Sequence, residues 1–109
     1  MLFLITSKIS EENLKNAAED LGGYIKFVVD VEKEILTAGG VRHVQGKELL
    51  LQNGSMQENL WGGGFDLETN EVDFGSMINI RPNRNNPSRE VLMPEVRKKI
   101  EEIVRKLLK

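Results

Sequence analysis

The stretch from Leu60 to Ile80, "LWGGGFDLETNEVDFGSMINI", predicts a β-hairpin and with it the frame of the fold. The polar pair Thr69-Asn70 stands between two runs of alternating apolar and polar residues, and asparagine tolerates the positive φ of a tight turn. A turn centred on this pair builds one apolar face, which we expect to join the core. Three cross-strand pairs form that face: Leu67 with Val72, Phe65 with Phe74, and Trp61 with Ile78.

The opposite face of the hairpin carries four carboxylates near the turn. The same register places Asp66 opposite Asp73. It also places Glu68 opposite Glu71, and like charges across a ladder are mildly destabilising. Carboxylates can hold a hard cation, but the ligand spacing of a calcium-binding loop is absent. We therefore expect a solvated tip and no metal site.

Farther from the turn, the polar face has little side-chain bulk. Three glycines leave the backbone bare there: Gly62, Gly64 and Gly75. The strand is expected to continue through "SMINI", with Ile78 and Ile80 facing the core. Asn79 and Arg81 then lie on the other side, beside the glycines. Bare backbone of this kind indicates either a bulge or a closely approaching group.

The remaining sequence predicts two to three helices and three strands around this hairpin. Residues 2 to 6 form a short strand, and Ser10 supplies an N-cap for a helix that ends at Gly22-Gly23. "YIKFVVDV" and "EILTAGG" are typical of two antiparallel strands. "KELLLQN", from Lys47 to Asn53, fits a short helix or a buried strand. A last helix begins at Pro94. Its apolar stripe comprises Val96, Ile100, Ile103, Val104 and Leu107.

These elements predict one α+β domain that spans residues 1–109. The order is β-α-β-β-(α)-β-β-α, with an antiparallel sheet of four to five strands and two to three helices that cover one sheet face. A chain of 109 residues has the size of a single domain. Its 39% hydrophobic and 29% charged residues are typical of a soluble globular protein.

Composition excludes several kinds of chemistry. The chain has no cysteine, which rules out disulfides, thiolate nucleophiles and cysteine-based metal sites. Its one histidine, His43, rules out imidazole metal triads. The opening "MLFLI" lacks a basic leader and is too short to span a membrane. We therefore expect a cytoplasmic protein with no membrane partner and no cofactor.

Charge is distributed unevenly along the chain. Residues 1 to 80 hold 6 Lys/Arg against 13 Asp/Glu, whereas residues 81 to 109 hold 9 against 4. The basic last helix could contact a protein or a nucleic acid, or the two halves could neutralise each other. The chain lacks the interleaved aromatic and basic residues of a nucleic-acid platform, which argues against that partner. A homo-oligomer is compatible with the sequence.

Catalytic candidates are few. "GVRHVQGKE", Gly40 to Glu48, has the wrong glycine spacing for a P-loop, and Glu48 stands where a hydroxyl should meet magnesium. His43 and Glu48 remain weak candidates for acid–base chemistry, against a surface or structural role for the histidine. Trp61 could stack on a base or sugar, but its predicted face favours the core.

The main binding candidate is "SMINIRPNRNNPSRE", Ser76 to Glu90, whose prolines predict a loop over residues 82 to 93. Guanidinium groups bind carboxylate and phosphate through two hydrogen bonds, and neutral donors help to orient the anion. The candidate ligand-binding residues are Asn79, Arg81, Arg84, Asn86, Ser88 and Arg89, with Gly62 and Gly64. We expect a site for an anionic small molecule or a carboxylate. The alternatives are a small enzyme with an arginine clamp for a phosphorylated or carboxylated substrate, and a structural loop tied to acidic residues.

Four stretches resemble a family of small uncharacterised prokaryotic proteins that is known only as a domain of unknown function. They are "VVDVEKEILTAGG", "ELLLQNGSMQENLWG", "SMINIRP" and "SREVLMPEVRKKIEEIV". The likeness covers most of the chain and implies a compact cytoplasmic domain. Because the family has no established activity, the resemblance transfers no substrate and no catalytic residue.

Overall fold

A five-stranded antiparallel sheet forms the frame of the computed structural model, with strand order β1-β3-β2-β4-β5. The structure describes all 109 residues except the side chain of Arg84. The elements are β1 (Phe3–Ile5), α1 (Glu11–Ala18), β2 (Tyr24–Asp30), β3 (Ile35–Ala38), α2 (His43–Gln52), β4 (Leu60–Asp66), β5 (Val72–Asp73) and α3 (Pro94–Leu107). The predicted fold class and element order are confirmed.

Strand β2 lies at the centre because both of its faces can be buried. It pairs with β3 on one side and with all seven residues of β4 on the other. Ile25, Phe27 and Val29 point into the main core beneath α1 and α3, whereas Val28 points to the opposite face. The prediction that Trp61 belongs to the core is also confirmed, since it is 5% exposed.

The helices α1 and α3 begin where their sequence signals predicted. The hydroxyl of Ser10 accepts a hydrogen bond from the Asn13 N–H at 3.1 Å, which caps α1. The chain leaves this region through Gly22, whose φ of 61° is available to glycine at little cost. Pro94 occupies the first turn of α3, and the buried stripe of that helix packs on the sheet. Its buried residues are Ile100, Ile103, Val104 and Leu107.

The prediction that the helices cover one face of the sheet is wrong for α2. Leu50 of α2 packs with Val28 and Leu60 on the face opposite α1 and α3. Gly46 allows this close approach, because a Cβ at that position would overlap the hydroxyl of Thr37. The helix also begins at His43 rather than at Lys47.

The hairpin has a different register from the predicted one. Phe65 pairs with Val72 instead of Phe74, and Gly64 pairs with Asp73, which was placed opposite Asp66. The cause is the side chain of Asp66, whose Oδ1 accepts from the Glu68 N–H at 2.9 Å and from the Thr69 N–H at 3.2 Å. This turn shifts the pairing by two residues, so the same side chains remain on each face.

The strand predicted through "SMINI" is a short 3-10 turn, Met77–Asn79. The hydroxyl of Ser76 accepts from the Ile78 N–H at 3.3 Å and starts this turn. As a result the predicted orientation is reversed, because Asn79 is fully buried and Ile80 is 39% exposed. A second 3-10 turn, Pro82–Arg84, follows in the predicted loop. Within the described part of the chain, no helix has the length and apolar character needed to cross a bilayer.

Candidate functional site

The glycine surface predicted on β4 is covered by the chain itself. A Cβ on Gly64 would overlap the phenol of Tyr24, whose ring lies across this glycine. A Cβ on Gly62 would lie 2.7 Å from Cβ of Ser76 and 3.1 Å from Cδ2 of His43. Closely approaching groups therefore do explain the glycines, but these groups are internal side chains. Gly62 and Gly64 position the site without presenting bare backbone to a ligand.

Asn79 is buried and has a structural role, whereas the sequence predicted that it faces solvent. Its Oδ1 accepts from the Gly62 N–H at 2.8 Å, and its Nδ2 donates to the Gly62 carbonyl at 2.9 Å. The same Nδ2 donates to the carbonyls of Phe74 at 3.2 Å and Arg89 at 3.0 Å. The amide thus replaces the strand partner that Gly62 lacks on this side of β4. All of its hydrogen-bonding capacity is used within the protein.

Asn86 is buried in the same way and ties the loop together. Its Nδ2 donates to the carbonyls of Asn79 at 2.8 Å and of Ser88 and Glu90 at 3.0 Å each. Its Oδ1 accepts from the Leu92 N–H at 2.9 Å. The hydroxyl of Ser88 accepts from the Glu90 N–H at 3.0 Å. Asn86 and Ser88 therefore shape the backbone that carries Arg89.

Arg81 lies away from Arg89. Its guanidinium stacks over the Trp61 ring, 4.2 Å from the ring centroid, and donates to the carbonyls of Glu58, at 3.1 Å, and Leu60. It lines a separate cavity of about 460 Å³. The side chain of Arg84, also a predicted ligand-binding residue, lies outside the described residues.

Two cavities on the α2 side of the sheet share four lining residues, and together we call them the sheet-face cleft. The first, of about 300 Å³, is lined by Lys26, Arg42, His43, Val44, Ser76, Met77 and Ile78. The second, of about 380 Å³, is lined by Tyr24, Lys26, His43, Gly75, Ser76, Met77, Arg89 and Glu90. The structure therefore brings His43 and Arg89 together, but not Arg81.

His43 stands in the middle of the sheet-face cleft with its tautomer determined. Its Nε2 lies 2.7 Å from the Gly63 carbonyl, and since a carbonyl can only accept, Nε2 carries the proton. Burial lowers the pKa of His43, and the ammonium of Lys26 lowers it further, against the raising effect of the Gly63 carbonyl. The ring is therefore neutral near pH 7 and keeps the lone pair on Nδ1.

The pH dependence of stability tests this half-buried imidazole. The folded pKa of His43 lies below the value of about 6.5 for an unfolded histidine, so the unfolded chain binds this proton more readily. The free energy of unfolding therefore falls as the pH drops below about 6.5 toward the folded pKa. The substitution His43→Gln keeps a donor for the Gly63 carbonyl but removes the titrating ring. We expect its free energy of unfolding, measured with urea, to lose this part of the pH dependence.

The direct check uses the fact that His43 is the only histidine in the chain. Its ring C–H signals in NMR report one titration, and the midpoint should lie below the ordinary histidine value. A midpoint at or above that value would contradict the half-buried neutral ring, if the free energy of unfolding also changes equally with pH in the unaltered protein and in His43→Gln.

Tyr24 and Asp73 form a second pair at the edge of the sheet-face cleft. The phenol donates to Oδ2 of Asp73 at 2.5 Å. Burial, followed by the hydrogen bond to Asp73, raises the pKa of Tyr24. Nearer to α2, the Lys26 ammonium donates to the Val41 carbonyl at 2.9 Å, which leaves two of its three donors for a ligand.

Glu48, the other acid–base candidate, does not join His43. Five residues along an α-helix correspond to about 140° around its axis, so the two side chains leave α2 in different directions. Glu48 is exposed, and it does not line either cavity of the sheet-face cleft.

The cations of α3 are largely engaged within the protein. Lys99 pairs with Glu34 at 3.1 Å, and Arg105 pairs with Glu101 at 3.3 Å. The Arg97 guanidinium lies over the Phe74 ring, 4.4 Å from its centroid. This helix offers a weaker polyanion surface than its sequence suggests. Among the described residues, no three His, Asp or Glu side chains are grouped so that they could hold a metal.

Sequence reasoning missed five polar residues of the sheet-face cleft: Tyr24, Lys26, Arg42, Ser76 and Glu90. One signal for Lys26 was available, because it is the only cation within the apolar strand "YIKFVVDV". A lysine there has to reach solvent or an acceptor on one face of the sheet.

The family comparison identifies the chain. The family model described as "Protein of unknown function (DUF5674)" matches residues 3–107, and the chain belongs to this family. The resemblance noted from the four sequence stretches is thereby confirmed. A comparison with curated proteins and one with solved structures found no match.

Proposed function

We propose that this member of a family of unknown function binds a small molecule with a carboxylate or phosphate group in the sheet-face cleft. The observation that supports the proposal most is the set of three cations that line the two cavities beside the neutral ring of His43: Arg42 in one, Arg89 in the other, and Lys26 in both. Cavities of this size are within the range that small ligands use.

The availability of these cations strengthens the proposal. Within the described part of the chain, none of the three forms an ion pair with a carboxylate. Arg42 and Arg89 are exposed, so their guanidinium groups are open to a ligand. Planar guanidinium groups suit the two oxygens of a carboxylate or phosphate.

Binding without catalysis is favoured over the enzyme with an arginine clamp. The clamp required Arg81 beside Arg89, whereas Arg81 stacks on Trp61 and lines another cavity. The side chains of His43 and Glu48 leave α2 in different directions, which argues against an acid–base pair of these two residues. The ion pairs Lys99–Glu34 and Arg105–Glu101 argue against α3 as a surface that binds a protein or a nucleic acid.

Removing the Arg89 guanidinium tests the proposed function. We expect Arg89→Gln to raise the Kd for inorganic phosphate or 4-methylpentanoate by roughly tenfold or more, because a charge-assisted hydrogen bond contributes about 1.5–3 kcal/mol. Titration calorimetry, supported by NMR shifts of the His43 ring, would measure the change.

The matched control is Lys106→Gln. Lys106 is an exposed cation of α3, on the far side of the sheet from the cleft. The Lys106→Gln substitution removes one positive charge, as Arg89→Gln does, so it corrects for the general effect of net charge on anion binding. Equal losses in the two variants, or no binding of either probe by the unaltered protein, would count against an anion site in the cleft.

A further inference from the structure

We propose that the ligand of the sheet-face cleft is a zwitterion, an α-amino acid with an apolar side chain. Its carboxylate would meet Arg89, its ammonium group would meet Glu90, and its side chain would lie between Val44 and Met77. This proposal rests on the proposed function, because it names the ligand class for the same cleft.

Opposite charges at one end of the cleft provide the first argument. Arg89 and Glu90 line the same cavity, and both are exposed. In the part of the chain that the structure describes, the two side chains form no ion pair with each other or with a third residue. A cation and an anion are therefore both left for a ligand.

The carboxylates at this end disfavour a ligand that is only an anion. Oε2 of Glu90 lies 2.5 Å from the position of a Cβ on Gly75, and Oδ1 of Asp73 lies 4.0 Å from it. Gly75 lines the same cavity as Arg89, so an anion held there would be near these carboxylates and would be repelled by them. A ligand that also carries an ammonium group turns this repulsion into attraction.

Glu90 is better placed than Asp73 to bind the ammonium group. Both oxygens of Asp73 are already used, since Oδ2 accepts from Tyr24 at 2.5 Å and Oδ1 accepts from the Gly75 N–H at 3.3 Å. The carboxylate of Glu90 has no such donor among the described residues. An ammonium group has three donors and would satisfy it directly.

The backbone that carries Arg89 and Glu90 is held in place. The Arg89 carbonyl accepts from the Ser76 N–H at 3.0 Å and from Asn79, and Glu90 bridges to Gly75. The Glu90 carbonyl accepts from Asn86. Because this framework is set before a ligand arrives, less ordering of the chain is needed on binding.

The cavity of about 300 Å³, which Lys26, Arg42 and His43 also line, includes exposed apolar side chains. Val44 is 45% exposed and Met77 is 62% exposed, and both line the cavity of about 300 Å³ together with Ile78. Apolar surface gains stability when a ligand removes it from water. A branched aliphatic side chain would cover these residues while the charged head lies at the Arg89 end.

Three probes of the same carbon skeleton test the proposal: leucine, 4-methylpentanoate and 3-methylbutan-1-amine. We expect the full chain to bind leucine at least tenfold more tightly than either of the other two, as measured by titration calorimetry. In Glu90→Gln, the advantage of leucine over 4-methylpentanoate should disappear, while 4-methylpentanoate itself binds equally well or more tightly. Glu102→Gln, an exposed change on α3, is the matched control and should keep the advantage.

The outcomes separate this proposal from the function on which it rests. If 4-methylpentanoate or inorganic phosphate binds as tightly as leucine, the zwitterion is wrong and the anion site remains. If leucine is preferred but Glu90→Gln does not alter the preference, the assigned role of Glu90 is wrong. If none of these probes binds, both the zwitterion and the proposed function are overturned.

Discussion

Asn79→Ala is expected to lower the free energy of unfolding by about 3–5 kcal/mol, the largest effect of the substitutions proposed for this chain. The amide of Asn79 is fully buried and serves the N–H and carbonyl of Gly62 and two further carbonyls, those of Phe74 and Arg89. Alanine leaves the N–H and carbonyl of Gly62 without these partners, whereas the carbonyls of Phe74 and Arg89 each keep one backbone donor, from Val91 and Ser76. Each buried unsatisfied group costs about 1–3 kcal/mol. Urea unfolding followed by the fluorescence of Trp61, the only tryptophan, measures the loss.

Asn83→Ala is the matched control for this substitution. Asn83 is in the same loop but is exposed, so the change should alter stability by no more than about 0.5 kcal/mol. Asn79→Asp adds a second comparison, because it keeps the acceptor for the Gly62 N–H and removes the donor to the three carbonyls. Similar losses for Asn79→Ala and Asn83→Ala would mean that the amide network does not hold the loop.

The helices and strands were predictable where their signals are local. Ser10 and Pro94 mark helix starts because a cap hydroxyl and a ring without an N–H act within one turn. The start of α2 was missed because its signal is unusual. Oε1 of Gln45 accepts from the N–H groups of Val41 and Arg42, at 3.0 and 3.1 Å, whereas the guanidinium of Arg42 has no acceptor to offer as a cap.

The register of the hairpin and the face of α2 depend on information that a pattern of apolar residues does not contain. A shift of two residues leaves every side chain on the same face, so alternation could not distinguish the pairing of Phe65 with Val72 from that with Phe74. The position of α2 depends on Gly46 and Thr37, which belong to a helix and a strand and whose contact exists only after these two elements pack together.

The site was partly predictable for a related reason. The predicted loop contributes Arg89 to the cavity that His43 lines, whereas Arg81 lines a separate cavity. A 3-10 turn at Met77–Asn79 replaces the predicted strand and buries Asn79. Whether an asparagine binds a ligand or the backbone depends on which backbone groups lack partners, and this is determined by the sheet as a whole.

Gly64→Ala is the second substitution expected to have a large effect, on stability and on the titration of Tyr24. A methyl group on Gly64 would occupy the space of the phenol, so the ring has to move away from Asp73. We expect a loss of about 1–3 kcal/mol in the free energy of unfolding, the usual cost of overpacking. Burial and Asp73 raise the pKa of Tyr24 in the unaltered protein, and the displaced phenol should titrate nearer its ordinary value of about 10.

Tyr24 is the only tyrosine, so the ultraviolet absorbance of its phenolate reports this titration without interference. A double-mutant cycle with Tyr24→Ala distinguishes overlap with the ring from a general effect of the added methyl group. If the ring is the obstacle, Gly64→Ala should cost much less stability in the Tyr24→Ala background, because the space is then empty. An equal cost in both backgrounds would show that Gly64 is required for another reason. The interpretation that this glycine leaves space for the Tyr24 ring would then be wrong.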